Sequence, residues 1–262
     1  MKNIFICLIL LFTGFLVAGC SNNNQQQTTD VYEKIKARDK IIVGVKYDTK
    51  PFGFIDNNQK ISGFDIDLAH LIAKYLLNDP NKVEFVQVTP QNRILALNSG
   101  QIDMVIATMT VTEQRKQVVE FSRPYYMAGQ AIMVNKDSAV SNINDLKNKK
   151  IIIVLGTTAD RNIKNIAPES LIQGYRTYND AFAALKNNRG DALITDDSIL
   201  LGLVANDKDF KILSKRYTKE PYAIALKKGP EAHKLLFHID SALNAYEQSG
   251  ELKKLKQKWI KN

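Results

Sequence analysis

Cysteine is nearly absent from this chain, and that scarcity excludes much chemistry at once. The two cysteines, Cys7 and Cys20, both precede residue 30. The rest of the chain therefore has no thiol for a disulfide, a metal site or a nucleophile. Histidine is also scarce: His70, His233 and His238 each stand alone in a stretch of helical pattern. A lone histidine on a helix is ordinarily a surface or capping residue, so neither a zinc site nor a Ser-His-Asp triad is expected, and no metal or cofactor is implied. Long apolar runs are lacking too. The run from Ile4 to Val17 falls short of the roughly 20 residues that a spanning helix requires.

What is present begins with an export pattern. Met1-Lys2-Asn3, the apolar run and the small residues Ala18-Gly19 have the layout of a secretory signal over residues 1–19. Leu16-Val17-Ala18-Gly19-Cys20 resembles the bacterial lipobox, in which the cysteine is acylated and becomes the first mature residue. Ser21 to Thr29 holds only Ser, Asn, Gln and Thr. Residues 20–38 therefore read as a lipidated cysteine followed by a flexible linker. The expected location is the outer face of the cell membrane, towards the periplasm or the cell exterior. Loss of Lys2 with the signal leaves 35 basic against 27 acidic residues, or +8. Several lysines lie at the end of the chain, from Lys253 to Lys261. For an exported protein, nucleic acid explains this balance poorly, whereas an anionic membrane surface or an acidic ligand explains it better.

Beyond the linker, short apolar runs alternate with helical patterns. Ile41 to Val45, Val83 to Val88 and Met104 to Ala107 read as strands, separated by helices around Ile66–Leu76 and Ile94–Leu97. The pattern starts afresh with the strands Ile151 to Leu155 and Ala192 to Ile194, and two helices close the chain. Such alternation predicts parallel α/β layers. A weak internal echo adds to this. Ala96-Leu97 leads through Asp103 and an apolar strand to Thr108, and Ala184-Leu185 leads through Asp191 and an apolar strand to Asp196. Thr108 and Asp196 thus occupy matching places at strand carboxyl ends, where open α/β sheets bind ligands.

Several segments carry a family likeness in order. They are Gly44-Val45-Lys46-Tyr47-Asp48 with Pro51-Phe52-Gly53-Phe54, Gly63 to Ala69, Ala107 to Lys116, and Val119-Glu120-Phe121-Ser122 with Pro124-Tyr125-Tyr126. The chain from Asp39 to Trp259 resembles the polar amino-acid-binding lipoproteins of ABC importers, bacterial solute-binding family 3, and looks nearest to their glutamate-, aspartate- and glutamine-binding members. The resemblance implies a periplasmic-binding-protein-like type II fold: two α/β lobes joined by two crossover strands, with the ligand cleft between them. Lobe one would comprise 39–130 and 221–262, and lobe two 131–220, with crossovers near Met127–Val134 and Glu220–Leu226. It implies a monomer that captures an amino acid and hands it to a membrane permease.

The resemblance also implies site residues. Arg115 would grip the α-carboxylate, helped by Thr108, the Met109 backbone and Thr110, while Thr158 would contribute from the start of a helix. Asp196 would receive the ammonium, with Asp197 read as the cap of a helix beginning at Ser198. Lys46, Arg93 and Tyr178 would set specificity. The chain departs from relatives that have a proline after the arginine, since Ile94 follows Arg93. Three cations against the single carboxylate of Asp196 favour an acidic ligand, glutamate or aspartate. A glutamine-binding protein is the alternative, and a cyclohexadienyl or arogenate dehydratase-like enzyme and a sensor module on the same fold are the others. Every cleft residue so placed has a recognition role, which leaves no free acid or base for catalysis.

Overall fold

The computed structural model describes residues 30–205 and 207–260. The expected signal and Cys20 lie outside the described residues. Two five-stranded sheets form the frame. In the first, the order is Val83–Gln87, Ile41–Val45, Met104–Val105, Glu220–Lys227 and Val119–Ala128. In the second it is Leu171–Tyr175, Lys150–Val154, Ala192–Asp196, Gln130–Asn135 and Phe210–Ile212. The interior strands Ile41–Val45 and Lys150–Val154 are rich in Ile and Val, the composition expected of strands covered on both faces.

In each sheet the first three strands pair in parallel, and the fourth runs antiparallel to both the third and the fifth. The echo in the sequence marks the third parallel strand of each, Met104–Val105 and Ala192–Asp196. The chain passes between sheets at Gly129, where Val119–Ala128 ends and Gln130–Asn135 begins, and returns at Glu220. Helices cover the sheets. Phe64–Leu77 buries Ile66, Leu68, Ala69, Ile72, Ala73, Leu76 and Leu77, and His233–Gln248 buries Leu235, Ile239, Ala242, Leu243 and Tyr246. Both stripes recur at three- and four-residue spacing.

Two readings of the sequence need correction. The flexible linker does not extend to residue 38, because Val31–Arg38 is a helix. Asp30 caps it by accepting from the Tyr32 and Glu33 amides, Ile35 is fully buried, and Tyr32 stacks on His238 at 4.3 Å. A single buried apolar position in eight polar-rich residues is too little periodicity to stand out beside the polar tract before it. Likewise Asp197 is the first residue of helix Asp197–Val204 and not its cap. Its carboxylate accepts from the Gly129 amide at 3.3 Å and pairs with Arg216 at 2.7 Å, tying the helix to the first crossover. No helix among the described residues is long and apolar enough to cross a membrane.

Candidate functional site

The carboxyl ends of the parallel strands in the two sheets face one another, and their following residues converge. Lys46 continues strand Ile41–Val45. Thr108 and Thr110 follow Met104–Val105, and Arg93 opens helix Arg93–Asn98. Arg115 sits on the one-turn helix Glu113–Lys116, which Thr112 caps by accepting from the Arg115 amide at 3.2 Å. From the second lobe come Gly156 and Thr158 after Lys150–Val154, Tyr178 at the head of Tyr178–Lys186, and Asp196 at the end of its strand.

These side chains are buried in spite of their charge: Lys46, Arg93 and Arg115 are at most 3% exposed, and Asp196 is 6% exposed. The Lys46 ammonium donates to Thr108 Oγ1 at 2.6 Å and lies 4.6 Å from the centre of the Tyr178 ring. Arg93 Nη1 donates to the Ala107 carbonyl at 2.8 Å, while its Nε, also buried, has no partner among the described residues. Arg115 Nη1 donates to the Thr110 carbonyl at 2.8 Å, and Nη2 crosses to the Gly156 carbonyl at 3.2 Å. Met109 is fully buried, and its carbonyl accepts from the Ala223 amide at 3.1 Å. Thr157, not Thr158, caps helix Thr158–Ile166. Thr158 is thereby free to donate to Glu220 Oε2 at 2.8 Å and to accept from Gln130 Nε2 at 3.0 Å.

Thr108 carries backbone strain. Its φ is +46°, an uncommon value for a β-branched residue. Asp65 holds it there by accepting from the Thr108 amide at 3.0 Å, and the same carboxylate accepts from the Tyr125 hydroxyl at 3.0 Å. Strained residues over-determined by their surroundings cluster at functional sites.

Asp65, Glu220, Gln130 and Tyr222 belong to the cluster and were not assigned from sequence. Asp65 lies in the quoted Gly63–Ala69 segment, but an acid in the first turn of a helix reads as a partner for the helix dipole. Glu220 and Tyr222 lie on the returning crossover strand, and only the fold brings them here. Tyr222 donates to Asp196 Oδ2 at 2.5 Å. Asp65 is fully buried and Glu220 is 2% exposed. The charge count behind an acidic ligand was therefore incomplete. Lys46, Arg93 and Arg115 face three buried carboxylates, Asp65, Asp196 and Glu220, so the cluster balances formally.

The same crowding shifts the proton affinities. Burial, and then Arg93, lower the Lys46 ammonium to about 7. Burial, and then Glu220, raise Asp196 to about 7, and burial raises Asp65 to about 6. Burial also depresses Arg115, followed by Arg93 and Arg161, although a guanidinium keeps its proton in such settings. Desolvation disfavours every isolated charge here, so each gains from a partner of opposite sign.

The lobes are closed on one another. Besides Arg115 to Gly156, the Tyr178 amide donates to Asp48 Oδ2 at 3.1 Å, and Arg161 donates to Gln114. A groove of about 370 Å³ along the seam, between Lys50, Phe54, Leu201 and Trp259, stands apart from the charged cluster. Among the described residues, no group of three or more His, Cys, Asp or Glu side chains could hold a metal ion.

The arrangement has relatives. The chain is 41% identical to the ABC transporter glutamine-binding protein GlnH of Bacillus subtilis, over 100% of this chain and 98% of that protein. It is 42% identical to a glutamine-binding protein of Geobacillus stearothermophilus, over 84% of this chain and 90% of that protein. Among solved structures, an ancestral arginine-binding protein bound to glutamine superposes with a TM-score of 0.80 at 40% identity, covering 85% of this chain and 98% of that one. Residues 41–262 match the bacterial extracellular solute-binding proteins, family 3, and the chain belongs to that family.

Proposed function

We propose that this protein captures glutamine outside the cytoplasm and delivers it to the permease of an ABC importer. Membership in a family of solute-binding proteins makes it a binder and not an enzyme. The observation that carries the choice of ligand is the balance of three buried cations against three buried carboxylates. A zwitterion adds one charge of each sign and preserves that balance. Glutamate adds a second carboxylate and leaves an unpaired buried charge, which is costly. The two glutamine-binding relatives support the same choice.

In this reading Arg115 forks the α-carboxylate, with the Thr108–Thr110 turn beside it and Thr158 at the N-terminus of its helix, where free amides attract an anion. Asp196 takes the ammonium. Lys46, Tyr178 and the spare Nε of Arg93 line the side-chain end. Residues 131–220 act as one lobe, and 39–130 with 221–262 as the other, joined now by helix Val31–Arg38. The lobes hinge at Gly129 and Glu220, the protein works as a monomer, and a lipid on Cys20 tethers it.

A thermal-shift screen of the twenty amino acids tests the ligand, because a molecule that binds only the folded protein stabilises it. Glutamine is expected to give the largest shift and glutamate a smaller one. A larger response to glutamate or aspartate than to glutamine would sink the charge-balance reading.

A further inference from the structure

The closed lobes meet at two places where the second lobe presents no side chain. Gly202, within helix Asp197–Val204, sits on the Lys50–Pro51 backbone of the first lobe. A Cβ there would overlap the Lys50 carbonyl oxygen, and would lie 2.5 Å from the carbonyl carbon and 3.1 Å from the Pro51 nitrogen. Gly156 sits in the same manner on Pro90 and Gln91, where a Cβ would lie 3.0 Å from the Pro90 carbonyl carbon and 3.1 Å from the Gln91 nitrogen. Backbone atoms have no rotamer with which to yield. Gly156 has a second reason to be glycine, its φ of +77°. Gly202 has none. It lies inside a helix, where glycine is a poorer choice than alanine, and it makes no contact with the charged cluster. The close approach to Lys50 is the one local reason for it.

We propose that Gly202 is a positioning residue for closure. Its missing side chain lets helix Asp197–Val204 seat on the Lys50–Pro51 backbone, so that the depth of closure, and through it the affinity, is set outside the cleft. The proposal rests on the amino-acid-binding reading. Apparent affinity falls in proportion to the population able to close, so a side chain at this seam weakens binding without touching the ligand.

Gly202→Ala separates this role from a merely structural one, because the two effects have opposite signs. With the lobes apart, the added methyl meets nothing from lobe one and improves the helix, so the ligand-free Tm is expected to hold or rise. With glutamine as the probe, calorimetric titration of the whole protein is expected to show a Kd weaker by about tenfold or more. Small-angle scattering at saturating glutamine is expected to show less compaction than in the wild type. A Kd within about twofold of wild type with equal compaction overturns the closure role alone. A lowered ligand-free Tm also overturns it, since the clash would then exist in every state. A wild type that gives no response to glutamine takes the binding reading down first, and this proposal with it.

Discussion

Buried charge decides the behaviour of single residues in this cleft. Asp196 is raised to about 7 by burial and then by Glu220, whereas the unfolded chain ionises it near its ordinary value of about 4. Between those values the folded state binds the extra proton, so stability falls as pH rises from about 4 to about 7 and then levels. Asp196→Asn is expected to remove that component. Subtracting its pH profile from that of the wild type, both in urea and without ligand, should leave a downward slope confined to that window. A flat difference would mean that Asp196 is not held protonated. Glu220 makes a second case. Glu220→Gln leaves three cations against two carboxylates, so the preference is expected to move towards glutamate. The ratio of glutamate to glutamine Kd should fall by about tenfold, the equivalent of about 1.4 kcal/mol. An unchanged ratio would place Glu220 outside the electrostatics of the ligand. Arg115 and Lys46 were legible in the sequence because they stand in segments with a family likeness, and Arg93 because the resemblance matches it as a single residue. Glu220 was not, because nothing in its own neighbourhood marks a hinge-strand acid as part of a cleft whose Asp196 lies 24 residues before it and whose Arg115 lies 105 residues before it.

Among the elements, strands and long helices were readable wherever apolar periodicity ran for several turns or a whole strand. Helix Phe64–Leu77 and strand Ile41–Val45 fall where the pattern predicts them. Short elements with one buried position were not. The three-stranded sheet of Asp48–Thr49, Gly53–Ile55 and Ile61–Ser62 has strands too brief to show alternation, yet it supplies Asp48 to the lobe closure. Helix Val31–Arg38 is the other instance. Its one fully buried side chain, Ile35, lies in the main core, so Ile35→Ala is expected to cost about 2–4 kcal/mol in urea unfolding. A loss below about 0.5 kcal/mol, the range of ordinary surface substitutions, would return this segment to the status of a linker.

For the whole molecule, the expected tether and the closed lobes concern different parts of the chain. Cys20 lies outside the described residues, and its lipid is tested by location. Cys20→Ser is expected to move the protein from the membrane fraction to the soluble one in fractionated cells, with glutamine binding unchanged. Persistence in the membrane fraction would call for another anchor. The sequence alone determined the α/β class, the export pattern, the strand-end positions of Thr108 and Asp196, and the cations of the cleft. All of these are local, since they depend on side-chain periodicity and on short ordered segments. Tertiary structure decided which acids those cations meet, and that pairing supports the proposed neutral ligand over an acidic one. Asp65, Asp196 and Glu220 come from a helix start, a strand tip and a crossover strand. The energy of a buried charge depends on the neighbours that folding assembles within a few ångströms, a quantity that separation along the chain does not contain.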